Sequence, residues 1–310
     1  MTPFIFRLTF CFCVLLGQAV LAADAAQEKT ATIRHSIFIA GPGFTGVLDE
    51  QGEAVWTAPR VKARDGFVLA NGNILIAWGD EVVEFDKDKK PVWRYKKDPS
   101  NKEIGTAQRL ANGNTMIVEL GGNPRLIEVK PDGELAVSIT LKPETNNAHM
   151  QTRMARKIEN GNYLVPHLLA FAVKEYTPQG KVVNTFKTDT EAFGGKKAKH
   201  WPFTAIRTPD GTTVVGCTYG NRVVEFDKDG KVIWDLKNED VGGIIKDACG
   251  VQRLPNGNTV VTSYGAKNGV KLFEVDVDKN IVWKYEGPHR AHHFQVLTTN
   301  GKPIAGEPMK

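Results

Sequence analysis

"LPNGNTVVTSYG", residues 254–265, reads as a turn followed by a strand. Asn256-Gly257 lies between a hydrophobic run and an alternating one, and a tight hairpin turn needs the positive φ that Asn and Gly tolerate. The phrase returns as "LANGNILIAWG" from Leu69, "LANGNTMIVEL" from Leu110, "IENGNYLVPHL" from Ile158, "TPDGTTVVGCT" from Thr208 and a shortened "TTNGKPIAGEP" from Thr298. Its turn begins at 71, 112, 160, 210, 256 and 300, with spacings of 41, 48, 50, 46 and 44 residues. Strand-only repeats of about 40–50 residues are the mark of propeller blades.

Within each repeat the turn is followed by an alternating strand and then by a third strand of constant type. The copies are "EVVEFDKD" from Glu81, "RLIEVKPDG" from Arg125, "AVKEYTPQG" from Ala172, "RVVEFDKDG" from Arg222 and "KLFEVDVDK" from Lys271. A fourth strand follows, carrying Trp93, Trp234 or Trp283. Period-two alternation of Val, Ile, Phe and Trp marks strands, and the Asp-Lys-Asp-Gly clusters are their turns. "HSIFIAGPGFTGVLDEQGEAVWTAP", from His35, matches strands two to four and lacks strand one. "HHFQVLTTNG", from His292, is a strand one without a blade. Joining the two predicts an all-β, six-bladed β-propeller of four-stranded antiparallel blades over 35–310. The C-terminal strand closes the ring on the N-terminal blade and removes the open edges.

Composition agrees with an ordinary globular chain: 310 residues, 41% hydrophobic, 24% charged and 30 glycines. The net charge of +5 contains no basic run of five, which argues against nucleic acid as a partner. Residues 1–22 read as a signal peptide, with Arg7 in the n-region, "LTFCFCVLLGQAV" as the apolar core and cleavage after Ala22. Residues 23–34 are a linker. The expected location is a bacterial periplasm or the cell exterior, with no membrane attachment once the leader is removed. Cys217 and Cys249 remain, on neighbouring blades at one edge, and a disulfide between them is an expectation to test; two buried thiols are the alternative.

"VVEFDKDGKVIWDL", from Val223, resembles the quinoprotein-like (PQQ-repeat) propeller unit, and Arg253 to Val261 resembles the blades of bacterial arylsulfotransferase-like propellers. The resemblance covers about 35–310 and implies the propeller fold and, as one activity, group transfer. The quinoprotein dehydrogenases have eight blades and an adjacent cysteine pair. This chain has neither in its mature part, so no quinone cofactor is expected.

Repetition separates scaffold from function. Glu84, Glu128, Glu175, Glu225 and Glu274 share one phase, and Arg109, Lys157, Arg207 and Arg253 precede the turns, so these are read as paired scaffold. The histidines do not repeat. Counted from the turn residue, His149 and His289 lie at −11, His200 at −10, His292 at −8, His293 at −7 and His167 at +7. Strand one begins and strand two ends at the same face, so these residues map to one mouth of the central channel. Arg153, Trp201 and Asp247 share the phase before strand one. The candidate ligand-binding set is therefore His149, Arg153, His167, His200, Trp201, Asp247, His292 and His293. The insertion 187–201, with Lys196, Lys197 and Lys199, leads onto the same face. Three functions fit. The first is an exported binding or scaffold module for a small molecule or a protein. The second is group transfer, with a histidine as nucleophile, Arg153 balancing charge and Trp201 stacking an acceptor. The third is metal binding through His292, His293 and His200 or His149.

Overall fold

The computed structural model describes Met1 and residues 32–310, of which 33–310 form one compact unit. The signal-peptide assignment to 1–22 and nearly all of the 23–34 linker lie outside the described residues.

Six antiparallel sheets follow one another along the chain. Blade I runs from its inner strand Asp65–Val68 to Pro91–Lys96, blade II from Asn101–Arg109 to Leu135–Thr140, and blade III from Arg156–Lys157 to Val182–Lys187. Blade IV runs from His200–Arg207 to Val232–Lys237, and blade V from Val251–Arg253 to Ile281–Tyr285. Blade VI is the composite. Its inner strand His293–Thr299 pairs antiparallel with His35–Ala40, in a register that sets Phe38 opposite Gln295 and Ala40 opposite His293. Thr298 and the Gly301 N–H both donate to Glu50, which clips the final hairpin to the blade's outer part. A short strand, Lys302–Pro303, extends the sheet to five.

The repeated sequence phases have structural counterparts. The turn glycines Gly72, Gly113, Gly161, Gly211, Gly257 and Gly301 all have φ between 78 and 88°. Each blade also shifts register between strands three and four at the same place, immediately after Glu84, Glu128, Glu175, Glu225, Glu274 and, in blade VI, Val47. A bulge there steepens the local twist that lets blades stack face to face.

The glutamates join neighbouring blades. Glu84 bonds Arg109, Glu128 bonds Lys157 at 2.5 Å, Glu175 bonds Arg207 at 2.8 Å and Glu225 bonds Arg253 at 2.5 Å. Glu274 faces His35 instead, at 2.6 Å. At the sixth junction both partners change together: Val47 stands in the glutamate phase and Val68 in the basic phase, within one apolar cluster. Between blades the core is otherwise aliphatic and aromatic, as where Ile206, Val214 and Val223 of blade IV meet Val251, Val261 and Phe273 of blade V.

Cys217 and Cys249 are free thiols, which corrects the disulfide expectation. Successive strand residues face opposite sides of a sheet. Cys217 faces Leu164 and Val173 of blade III, whereas its neighbour Thr218 faces Cys249, 3.7 Å from its sulfur. Burial pushes both thiols up to about 12.

Candidate functional site

Inner strands line the channel of a propeller, and here a base stands before or at the start of each. Arg64, Arg153, Lys199, Lys246 and Arg290 precede the inner strands of blades I, III, IV, V and VI, and Lys102 is the second residue of that of blade II. Two of them meet on one carboxylate. Glu103, near the start of the blade II inner strand, accepts from Arg64 at 2.5 Å and from Arg153 at 3.3 Å, and lies 3.5 Å from His149 Nδ1. Burial disfavours the Glu103 carboxylate. The His149 hydrogen bond and the Arg153 and Arg64 charges outweigh that penalty and bring its pKa to about 2. Arg153 is fully buried, also donates to the carbonyls of Thr152 and His149, and is lowered by burial to about 10. Its Nε is buried without a partner among the described residues.

His292 completes this group. Its Nδ1–H donates to the Arg64 carbonyl at 2.9 Å, which leaves Nε2 as the lone-pair nitrogen. The ring sits edge-on between Phe203 at 4.9 Å and Tyr264 at 5.2 Å. Tyr264 in turn lies under the Arg290 guanidinium, at 5.3 Å. Burial, helped by Arg64 and Arg153, pushes the His292 pKa to about 3 against the pull of its hydrogen bond. The imidazole is therefore a neutral acceptor at neutral pH.

This has a measurable consequence. Between pH 6.5 and 3 the unfolded chain holds a proton on His292 that the folded chain does not. Stability is then fully present above pH 6.5 and is lost as pH falls, by about 1.4 kcal/mol per pH unit for each such proton. His292→Gln should make the slope of urea-unfolding stability against pH shallower by about one proton in that window. An unchanged slope would show that His292 ionises freely in the fold.

The other sequence-predicted residues separate. His293 lies one step deeper, fully buried, with Nδ1 3.4 Å from Asp65. His167 is enclosed in blade III, near Glu144 at 3.3 Å and Tyr176 at 3.0 Å. His200 packs on Phe193 of the 187–201 insertion, and burial lowers its pKa. Trp201 lies against Tyr219, 5.1 Å between rings, with Lys199 4.9 Å from the Tyr219 ring. Asp247, at φ 60°, ties blade IV to blade V by accepting from the Tyr219 N–H at 3.0 Å. His149, Arg153 and His292 thus share one cluster, while His167, His200, Trp201 and Asp247 serve their own blades or junctions. The cluster's remaining members, Arg64 and Glu103, were not singled out from sequence. Arg64 stands seven residues before its turn, the phase of Arg153 and His293, so the same alignment read for arginine would have found it.

Among the described residues no group of three His, Cys, Asp or Glu side chains could hold a metal ion. His292 and His293, adjacent at the start of a strand, point to different layers, and His200 faces a blade core. The three-histidine arrangement is not assembled.

Residues 82–244, just over half the chain, match the family described as Mal s 1 allergenic protein-like. The chain belongs to that family. The match, rather than one to quinoproteins or arylsulfotransferases, is the finding that places it, and it runs from the third strand of blade I through blade IV. No curated protein matches it in sequence. Similar solved structures include a protein of unknown function from Bacteroides caccae, 20% identical, TM-score 0.73, covering 88% of this chain and 100% of that one. A streptogramin B lyase is 14% identical, TM-score 0.58, over 83% of this chain and 85% of its own. A catalytically inactive virginiamycin B lyase from Staphylococcus aureus with quinupristin is 13% identical, TM-score 0.58, over 83% and 86%. At these identities the likeness is one of fold, shared by a member of the Mal s 1-like family and these propellers.

Proposed function

We propose that the chain is an exported binding module whose ligand docks at the channel mouth through an anionic group. The single observation that carries this reading is the Arg64–Glu103–Arg153 cluster. Two guanidinium groups share one carboxylate, His149 stands beside them, three further bases sit on the surrounding loops and Lys102 on the blade II inner strand. Such a mouth attracts anions and concentrates them. Phe203, His292 and Tyr264 add an apolar wall with one neutral hydrogen-bond acceptor. An aromatic anion matches both features. The leader-like 1–22 segment supports a periplasmic or secreted setting.

The test is thermal melting with para-nitrophenyl sulfate, with nitrobenzene as the uncharged control. A ligand that binds only the folded state raises Tm saturably. The sulfate is expected to do so and nitrobenzene is not. Arg64→Ala should weaken the sulfate about tenfold, the order of one lost charge-assisted hydrogen bond. Equal responses to both compounds would contradict an anion site.

His292 favours a second reading. A neutral imidazole with an uncommitted Nε2 beside Arg64 and Arg153 suits nucleophilic group transfer of the arylsulfotransferase-like kind. Release of nitrophenol from the same sulfate in the presence of phenol, abolished by His292→Ala, separates transfer from binding alone. The lyase names of two structural neighbours describe those proteins.

A further inference from the structure

Below the mouth, the channel holds a lysine from the chain's own final segment. Lys310 is fully buried. Its Nζ donates to the Gly66 carbonyl at 2.6 Å, and lies 3.4 Å from Asp65 Oδ1, 3.2 Å from His293 Nδ1 and 3.7 Å from the centre of the Phe67 ring. A carboxylate, a carbonyl, an imidazole acceptor and an aromatic face together make a cage for an ammonium group. The cage belongs to the channel wall, because Asp65, Gly66 and Phe67 are consecutive in the blade I inner strand and His293 starts that of blade VI. Asp65 is fixed in turn by Thr106 at 2.6 Å and by Arg156 at 3.0 Å.

The segment that delivers the lysine is anchored at its two ends, where Ile304 and Met309 pack against blade cores, and is open between them. Ala305, Gly306 and Glu307 are exposed. Among the described residues its backbone bonds run from Ile304 N–H to Leu297 and from the Arg253 N–H to Met309 at 3.0 Å, and Arg156 Nε donates to a main-chain oxygen of Lys310. Segments with few buried contacts open at low cost. We propose that the Asp65–Gly66–Phe67–His293 cage is a primary-ammonium site, occupied in cis by Lys310, and that a small alkylamine takes the same place when residues 304–310 withdraw. Electrostatics are consistent with an exchangeable occupant. Burial lowers the Lys310 pKa to about 7 against the attraction of Asp65, and Arg156 adds to the lowering. Asp65, held far below the usual carboxylate range by Arg156 and Lys310 despite its burial, stays an anion. His293, lowered by burial and by Lys310, stays neutral.

The probe is n-butylamine, which reproduces the lysine side chain beyond Cα. Lys310→Ala in the full chain leaves the Asp65 charge without its nearest ammonium and should lower Tm. n-Butylamine should recover most of that loss saturably, more effectively than ethylamine or ammonium chloride. Asp65→Asn added to Lys310→Ala should abolish the recovery. Recovery that is unsaturable, independent of chain length or retained without Asp65 would overturn the proposal. If Lys310→Ala does not fold, the wild-type chain carries the test. Deuterium uptake in 304–310 should rise with n-butylamine and not with ammonium chloride, and unchanged uptake would overturn it.

Discussion

Deleting residues 291–310 is expected to abolish the cooperative thermal transition of the chain in far-ultraviolet circular dichroism. The deletion removes the inner strand of blade VI, not a loose end. Phe294 and Val296 are fully buried against Ile37, Ile39, Leu254 and Leu272, so they join blade VI to blade V as well as to itself. Full burial of such side chains is worth about 1.5–3 kcal/mol each. The strand His35–Ala40 would also lose its inner partner along its whole length, and Asp65 would lose Lys310 and His293. Against a total stability of about 5–15 kcal/mol, that loss leaves no folded ring. A synthetic peptide of residues 290–310, added in trans, should restore the transition. A truncated chain that melts cooperatively near the original Tm would show that the ring does not depend on its closure.

The second large effect is at a blade junction. Glu225→Ala is expected to cost about 3 kcal/mol, because Arg253 then keeps a mostly buried charge without its carboxylate. Glu225→Val combined with Arg253→Val should recover most of that loss. The chain already contains this solution at Val47 and Val68, the one junction where neither charge is present. Replacing both members of a buried pair by apolar residues is often close to neutral, whereas removing one is not. Urea unfolding of the two single variants and the double variant makes the cycle. Additive losses in the double variant would mean that the two side chains act independently.

Those two sites also show what the sequence made legible. The turn phrase is local: Asn-Gly fixes a hairpin without help from distant residues, and six copies at blade spacing leave little freedom of topology. The glutamate phase was legible for the same reason, since a residue repeated five times must do the same thing five times. Ring closure followed because each end of the chain lacked what the other carried. The site was harder. His149, Arg153 and His292 all stand before an inner strand, but that gives only height along the channel and not direction. His200 and His167 stand at similar heights and turn into blade cores, where Phe193 and Tyr176 receive them. Glu103 was missed because its role exists only in three dimensions, where arginines from blade I and the approach to blade III converge on it. Lys310 was missed because a polar tail after a last strand carries no periodic signal. The Cys217 disulfide failed on a one-residue matter of alternation, since Thr218 and not Cys217 faces Cys249.

In the proposed function the Glu–Arg pairs at the blade junctions hold the ring, and the Arg64–Glu103–Arg153 cluster at the channel mouth binds the anion. The most direct measurement is the binding isotherm of para-nitrophenyl sulfate for three folded proteins: the wild type, Arg64→Ala, and the Glu225→Val/Arg253→Val pair. Arg64→Ala is expected to weaken binding about tenfold, while the junction variant binds as the wild type does. Equal affinity in all three, or no binding to the wild type, would contradict it.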